Sequence, residues 1–131
     1  MSILGQRIPR SAIAAMAVLM LLAMLAPALS KTPSREITLV VRDMAFYLDS
    51  DAHTPNPTLD IRAGERVRIV VRNQDRGMTH DFAVPILNEA IDQIGWNESD
   101  AVVFSAPERP GTYRYECQPH RLMMHGTIRV Y

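Results

Sequence analysis

A single cysteine, Cys117, is all the chain contains, so no disulfide can form within it and the lone thiol needs another explanation. Runs of basic charge are missing as well. From residue 31 onward there are twelve Arg and Lys against fourteen Asp and Glu, a net charge of −2 with the signs interspersed. That pattern argues against nucleic acid as a partner. No internal repeat or low-complexity segment is present, and no twin arginine or lipid-attachment cysteine stands near the start. One long apolar run exists, and it lies entirely within the first thirty residues.

That beginning has the order of a secretory signal: Arg7 and Arg10, an apolar run from Ala12 to Leu25, then Ala26-Pro27-Ala28-Leu29-Ser30. Cleavage after Ala28 or Ser30 is the favoured reading. If it is retained, the nineteen uncharged residues 11–29 are long enough to anchor the chain in a bilayer. Either way, basic residues ahead of the apolar run hold that end inside and send the remainder out of the cytoplasm, to a periplasmic or other extracytoplasmic face. Residues 1–30 are therefore a signal peptide or membrane anchor. Residues 31–131 are enough for one domain with one core.

Within that domain, short β-branched runs alternate with turn signals. Residues 36–42, 58–62, 66–72, 80–84, 101–105, 112–117 and 126–131 read as strands. In 66–72 the apolar Val67, Ile69 and Val71 share one face, with arginines mostly on the other, the period of a half-buried strand. Residues 48–57 read as a surface loop holding His53, residues 73–77 as a turn, and residues 88–94 as a short helix ending at Gly95. Trp96 reads as a packing residue beneath a loop. Seven or so strands at this spacing predict an all-β, antiparallel sandwich with Greek-key connections.

The chemistry concentrates near the end of the chain. Tyr113, Tyr115 and Cys117 alternate on one face of a strand, Pro119 bends the backbone, and His120 follows the cysteine by three. Leu122-Met123-Met124 adds thioethers before Gly126 opens the last strand. Thiolate, imidazole and a weak thioether form the ligand set of a mononuclear copper electron-transfer site. A second imidazole must come from elsewhere, and His80, at a strand start after a loop, is the candidate. No acid–base pair suggests an enzyme. A dinuclear oxidase-type centre would need a second cysteine, and there is none.

These residues resemble the cupredoxins, the blue copper family that includes plastocyanin and amicyanin. The resemblance runs from about Ile37 to Tyr131. It rests on Ala63-Gly64-Glu65-Arg66-Val67, on Arg72-Asn73-Gln74-Asp75 leading to His80-Asp81-Phe82, on the 110–117 approach, and on Gly126-Thr127-Ile128. It implies a Greek-key sandwich binding one copper, cycling between Cu(I) and Cu(II), through His80, Cys117, His120 and an axial methionine. Met124 keeps the family's Met-x-Gly ending and is favoured, whereas Met123 keeps amicyanin's spacing from the histidine. His125 stands eight residues after Cys117, where a ligating histidine would give a red-copper, nitrosocyanin-like site. Asp81 occupies a position where the family often has asparagine, and its carboxylate is expected to link the ligand loops as an acceptor.

The resemblance further implies a monomeric electron carrier, with redox proteins docking near His120, Pro119 and Leu122. Its rivals are a copper chaperone or store using both methionine sulfurs, the His125-ligated site reacting with a small oxidant, and a zinc site of Cys117, His80, His120 and His125.

Overall fold

In the computed structural model, the described residues are Thr32–Tyr131. The signal or anchor segment expected at residues 1–30 lies outside them. Among the described residues, no helix is long and apolar enough to cross a membrane.

Among the described residues, nine strands form two sheets. They are β1 (Arg35–Arg42), β2 (Ala45–Leu48), β3 (Leu59–Ile61), β4 (Arg66–Asn73), β5 (Ala83–Val84), β6 (Glu89–Ala90), β7 (Ser99–Ser105), β8 (Gly111–Glu116) and β9 (His125–Val130). One sheet runs β2-β1-β4-β7 and the other β3-β9-β8-β5-β6. The chain passes between sheets after β2, β3, β4, β6 and β7, so the faces are stitched together repeatedly along the sequence. The sandwich is not wholly antiparallel as expected: β1 pairs with β4 and β3 with β9 in parallel. A parallel pair needs a crossover rather than a tight turn, and here the excursions through the opposite sheet supply it.

Side-chain alternation sets each strand's inward face. In β4, Val67, Ile69 and Val71 are fully buried while Arg68 and Arg72 face water. Fully burying such a side chain contributes about 1.5–3 kcal/mol, so a one-residue slip of register would reverse every gain along the strand. Phe46, Phe82 and Tyr115 lock the two sheets together. Phe82 and Tyr115 stack at 5.4 Å between centroids, and Phe46 meets both edge-on at 5.8 and 5.5 Å. The Tyr115 hydroxyl donates to the Pro57 carbonyl at 2.7 Å, which satisfies the one polar atom of that buried ring.

Two local expectations fail for identifiable reasons. Residues 88–94 form no helix. A 3-10 turn at Pro85–Leu87 ends on Asn88 in the left-handed region (φ 54°), and the chain then doubles back. The amides of Ile91 and Ile94 donate to the carbonyls of Phe82 and His80 instead of pairing within a helix. The other is the unrecognised strand β2. It follows β1 through Asp43 and Met44, at φ 50° and 59°. Such a two-residue turn normally carries Asn-Gly or Asp-Gly; Asp43 fits, whereas Met44 in place of glycine costs roughly 1–2 kcal/mol.

Candidate metal centre

The strand β8 delivers Cys117 to one end of the sandwich. Inward alternation places Tyr115 and then Cys117 in the core, both with no exposed surface. Pro119 sits in a 3-10 turn, Gln118–His120, that swings His120 back over the sulfur. The loop is closed tightly: the Cys117 amide donates to the Met124 carbonyl at 2.9 Å, and the amides of Met123 and Met124 both donate to the His120 carbonyl at 2.9 Å. A buried methionine and an exposed one result. Met124 is fully enclosed in the core, whereas Met123 is 61 % exposed.

His80 reaches the site from the loop after β4. The expected strand over residues 80–84 is regular only at Ala83–Val84. His80 itself is held by a single bridge to Ile94, with reciprocal backbone bonds of 3.1 and 2.8 Å. Buried Asn73 organises this loop. Its side-chain amide donates to the carbonyls of Met78 and Ile94, and its oxygen accepts the Asp75 amide. The sequence placed Asn73 and Asp75 in a turn and in a stretch that resembles the family but gave neither a role at the site; Asn-x-Asp five residues ahead of a histidine was the available signal.

Three candidate ligand atoms converge. Cys117 Sγ lies 3.6 Å from His120 Nδ1 and 3.8 Å from His80 Nδ1, and all three lie within 4.8 Å of one another. Bonds of about 2.0 Å to nitrogen and about 2.3 Å to sulfur, opened to a trigonal angle, put the sulfur about 3.7 Å from each nitrogen. The observed edges fit one ion between them. Soft thiolate with two imidazoles is the donor set that suits copper in both of its common oxidation states. Asp81 joins the two loops as expected: its carboxylate accepts the Gln118 amide at 2.7 Å, and its own amide donates to Cys117 Sγ at 3.5 Å.

Burial dominates the electrostatics. It pushes the Cys117 thiol up to about 11, so the metal-free site holds a protonated sulfur at neutral pH. Burial also lowers the His80 pKa, against the opposing charge of Asp75, which keeps the ring neutral and its lone pair free. Asp81 is shifted upward by burial, with the Gln118 amide working in the other direction.

The remaining sequence candidates sit apart. His125 is exposed, its Nδ1 3.1 Å from the Arg121 carbonyl, and it is not among the converging atoms. His53 is exposed on its loop. Trp96 is not buried under a loop as expected; it is 50 % exposed, with the Arg76 guanidinium 4.4 Å over its ring. Beside His120, a shallow groove is lined by Gln118, Pro119, Arg121, Leu122 and Met123. Leu122 is 89 % exposed there.

Residues 12–130 match the model of the cupredoxin-like domain. Among solved structures, auracyanin B is similar at 25 % identity and a TM-score of 0.61, over 79 % of this chain and 93 % of that one. Auracyanin A, a "blue" copper protein from the green thermophilic photosynthetic bacterium Chloroflexus aurantiacus, is 21 % identical with a TM-score of 0.59, over 73 % of this chain and 98 % of that one. Rusticyanin from Thiobacillus ferrooxidans is 20 % identical with a TM-score of 0.57, over 73 % and 76 %. Comparison with curated proteins returned no match.

Proposed function

The chain belongs to the cupredoxin-like family, and from that premise we propose that it is a mononuclear type 1 copper protein carrying single electrons between redox partners outside the cytoplasm. One observation carries this reading: Cys117 Sγ and the Nδ1 atoms of His80 and His120, drawn from two loops, meet at distances that fit one shared ion. When bound, copper supplies a one-electron couple between Cu(I) and Cu(II). The protein's part is to hold the donors still. Cys117 and His80 are fully buried, the loop from residue 117 to 124 is closed by its own hydrogen bonds, and Asp81 ties that loop to the strand beside it. A site so fixed exchanges an electron with little rearrangement.

Met124 is the axial ligand in this reading. It is the buried methionine of the pair and lies on the same closed loop. Met123 points to solvent and His125 is engaged with the Arg121 carbonyl. The chaperone alternative, which needs both thioethers at one ion, is weakened by the same contrast in burial.

His120 is the ligand nearest to solvent, and exposed Pro119, Leu122 and Met123 surround it. That apolar rim is the docking patch and electron port for a redox protein. Contacts of this small size suit weak, transient encounters. The basic start and apolar run of residues 1–30 support export, with the mature protein a monomer.

Loading the metal-free protein with Cu(II) tests the assignment. Intense visible thiolate-to-copper absorption is expected, and Cys117→Ser should abolish it. Survival of the band in that variant would refute the reading. Retention of the metal through repeated reduction and oxidation in the presence of a Cu(I) chelator is expected of a carrier; rapid surrender of Cu(I) would favour the chaperone.

A further inference from the structure

The carboxylate of Asp75 has three N–H groups around two oxygens. Its Oδ1 accepts the Asp43 amide at 2.6 Å, and its Oδ2 accepts the Met44 amide at 3.1 Å. The same Oδ2 lies 3.1 Å from His80 Nε2, whose ring is wholly enclosed. Asp75 is itself fixed from behind, its amide donating to the Asn73 side chain at 2.8 Å. One side chain therefore joins the left-handed turn at residues 43–44 to the buried histidine of the candidate metal centre.

We propose that Asp75 is a positioning residue for the metal centre, holding His80 in the tautomer that carries its hydrogen on Nε2 and leaves Nδ1 free for the ion. This rests on the copper reading of the site. A carboxylate can only accept when ionised, so its place opposite Nε2 assigns the ring hydrogen there. The lone pair then sits on Nδ1, the atom facing Cys117 Sγ at 3.8 Å. A carboxylate behind a ligating imidazole fixes the ring and makes it a stronger donor. Its negative charge favours the more positive oxidation state of the ion. An amide cannot substitute for it. Asparagine has one accepting atom, and its NH2 would face either a turn amide or the ring N–H.

Two measurements on the full chain test this, one without metal. Nitrogen-15 NMR of the metal-free protein in mildly alkaline buffer should show His80 as a single Nε2–H tautomer. Asp75→Asn should shift it to a mixture or reverse it. In the copper-loaded protein, Asp75→Asn should raise the reduction potential and weaken metal binding by about 10–100-fold. A wild-type ring bearing its hydrogen on Nδ1 would overturn the proposal, as would a variant with unchanged tautomer and potential.

Asp75→Asn also leaves the turn and the ring one accepting oxygen where there were two, which can loosen the turn. The triple variant Asp75→Asn, Asp43→Asn, Met44→Gly supplies a turn that forms without that acceptor. If its potential returns to the wild-type value, Asp75 merely supports the turn and the proposal fails; a potential that stays raised supports it. Should wild-type protein give no copper absorption, the copper reading falls, while the metal-free tautomer measurement still decides the role of Asp75.

Discussion

Asp81 grips Cys117 from both sides: its backbone N–H donates to the sulfur at 3.5 Å, and its carboxylate accepts the N–H of the very next residue, Gln118, at 2.7 Å. The contact joins two segments thirty-six residues apart in sequence and sets where the ligand loop begins.

The carboxylate's role there is to accept, and its charge is a liability because burial raises its pKa. Asp81→Asn, with its carbonyl oxygen placed to accept, should therefore match or exceed wild-type stability at pH 7. Asp81→Ala should lose about 0.5–1.5 kcal/mol, the net contribution of the hydrogen bond to the part-buried Gln118 amide. Urea unfolding of the metal-free variants checks the order, and an Ala variant as stable as the Asn one would contradict it.

The burial contrast between the adjacent methionines predicts a clean split. Met124→Leu should alter the visible spectrum and shift the reduction potential, while its near-equal volume keeps the stability loss below about 1.5 kcal/mol. Met123→Leu, on the exposed side of the loop, should leave the spectrum as it is. The reverse pattern would move the axial ligand to Met123.

Binding a metal must displace the Cys117 proton, since burial pushes that thiol up to about 11. Metal uptake at pH 7–9 should therefore release a proton from Cys117, and the apparent affinity should rise about tenfold per pH unit from this group. Calorimetric titration in buffers of different ionisation enthalpy reads the proton directly. Cys117→Ser should lose that release.

His80 gives the metal-free protein an acid sensitivity. Its pKa in the fold is lowered by burial below the ordinary 6.5. As pH falls through that ordinary value, the unfolded chain takes up a proton that the folded chain does not, so unfolding becomes favoured. Stability should therefore decline from about pH 7 downward until the folded-state value is reached. The His80→Gln variant should show a flatter dependence over the same window, measured as the urea midpoint against pH.

Gly126 faces the Tyr115 ring so closely that an added Cβ would lie 2.2 Å from the hydroxyl oxygen. Gly126→Ala should force the buried ring aside, break its bond to the Pro57 carbonyl, and cost about 1–3 kcal/mol by overpacking. A thermal scan showing no loss would mean that β9 can shift to make room.

Much of the centre could be read from the chain because Cys117, Pro119, His120 and Met124 belong to one short, self-closed loop. Local spacing alone brings such residues together. The inward face of β4 was equally plain, since a two-residue period needs no partner to be seen. The strand β2 was not: its turn uses Asp-Met in the left-handed region, and what holds it is the distant Asp75 carboxylate. Nor could a helix at 88–94 be refused from sequence, because the backbone partners that claim those amides lie at Phe82 and His80.

The sequence by itself determined the kinds of donor, the loop holding three of them, and the alternation that builds the strands, because each depends on neighbours along the chain. Tertiary structure alone decided three things: that the ring of His80 meets the sulfur of Cys117, which of two adjacent methionines is enclosed, and which carboxylate stands behind the imidazole. Those depend on how two sheets pack and which loops they bring to the same end. Residues distant in sequence acquire a mutual distance only when the core between them is filled.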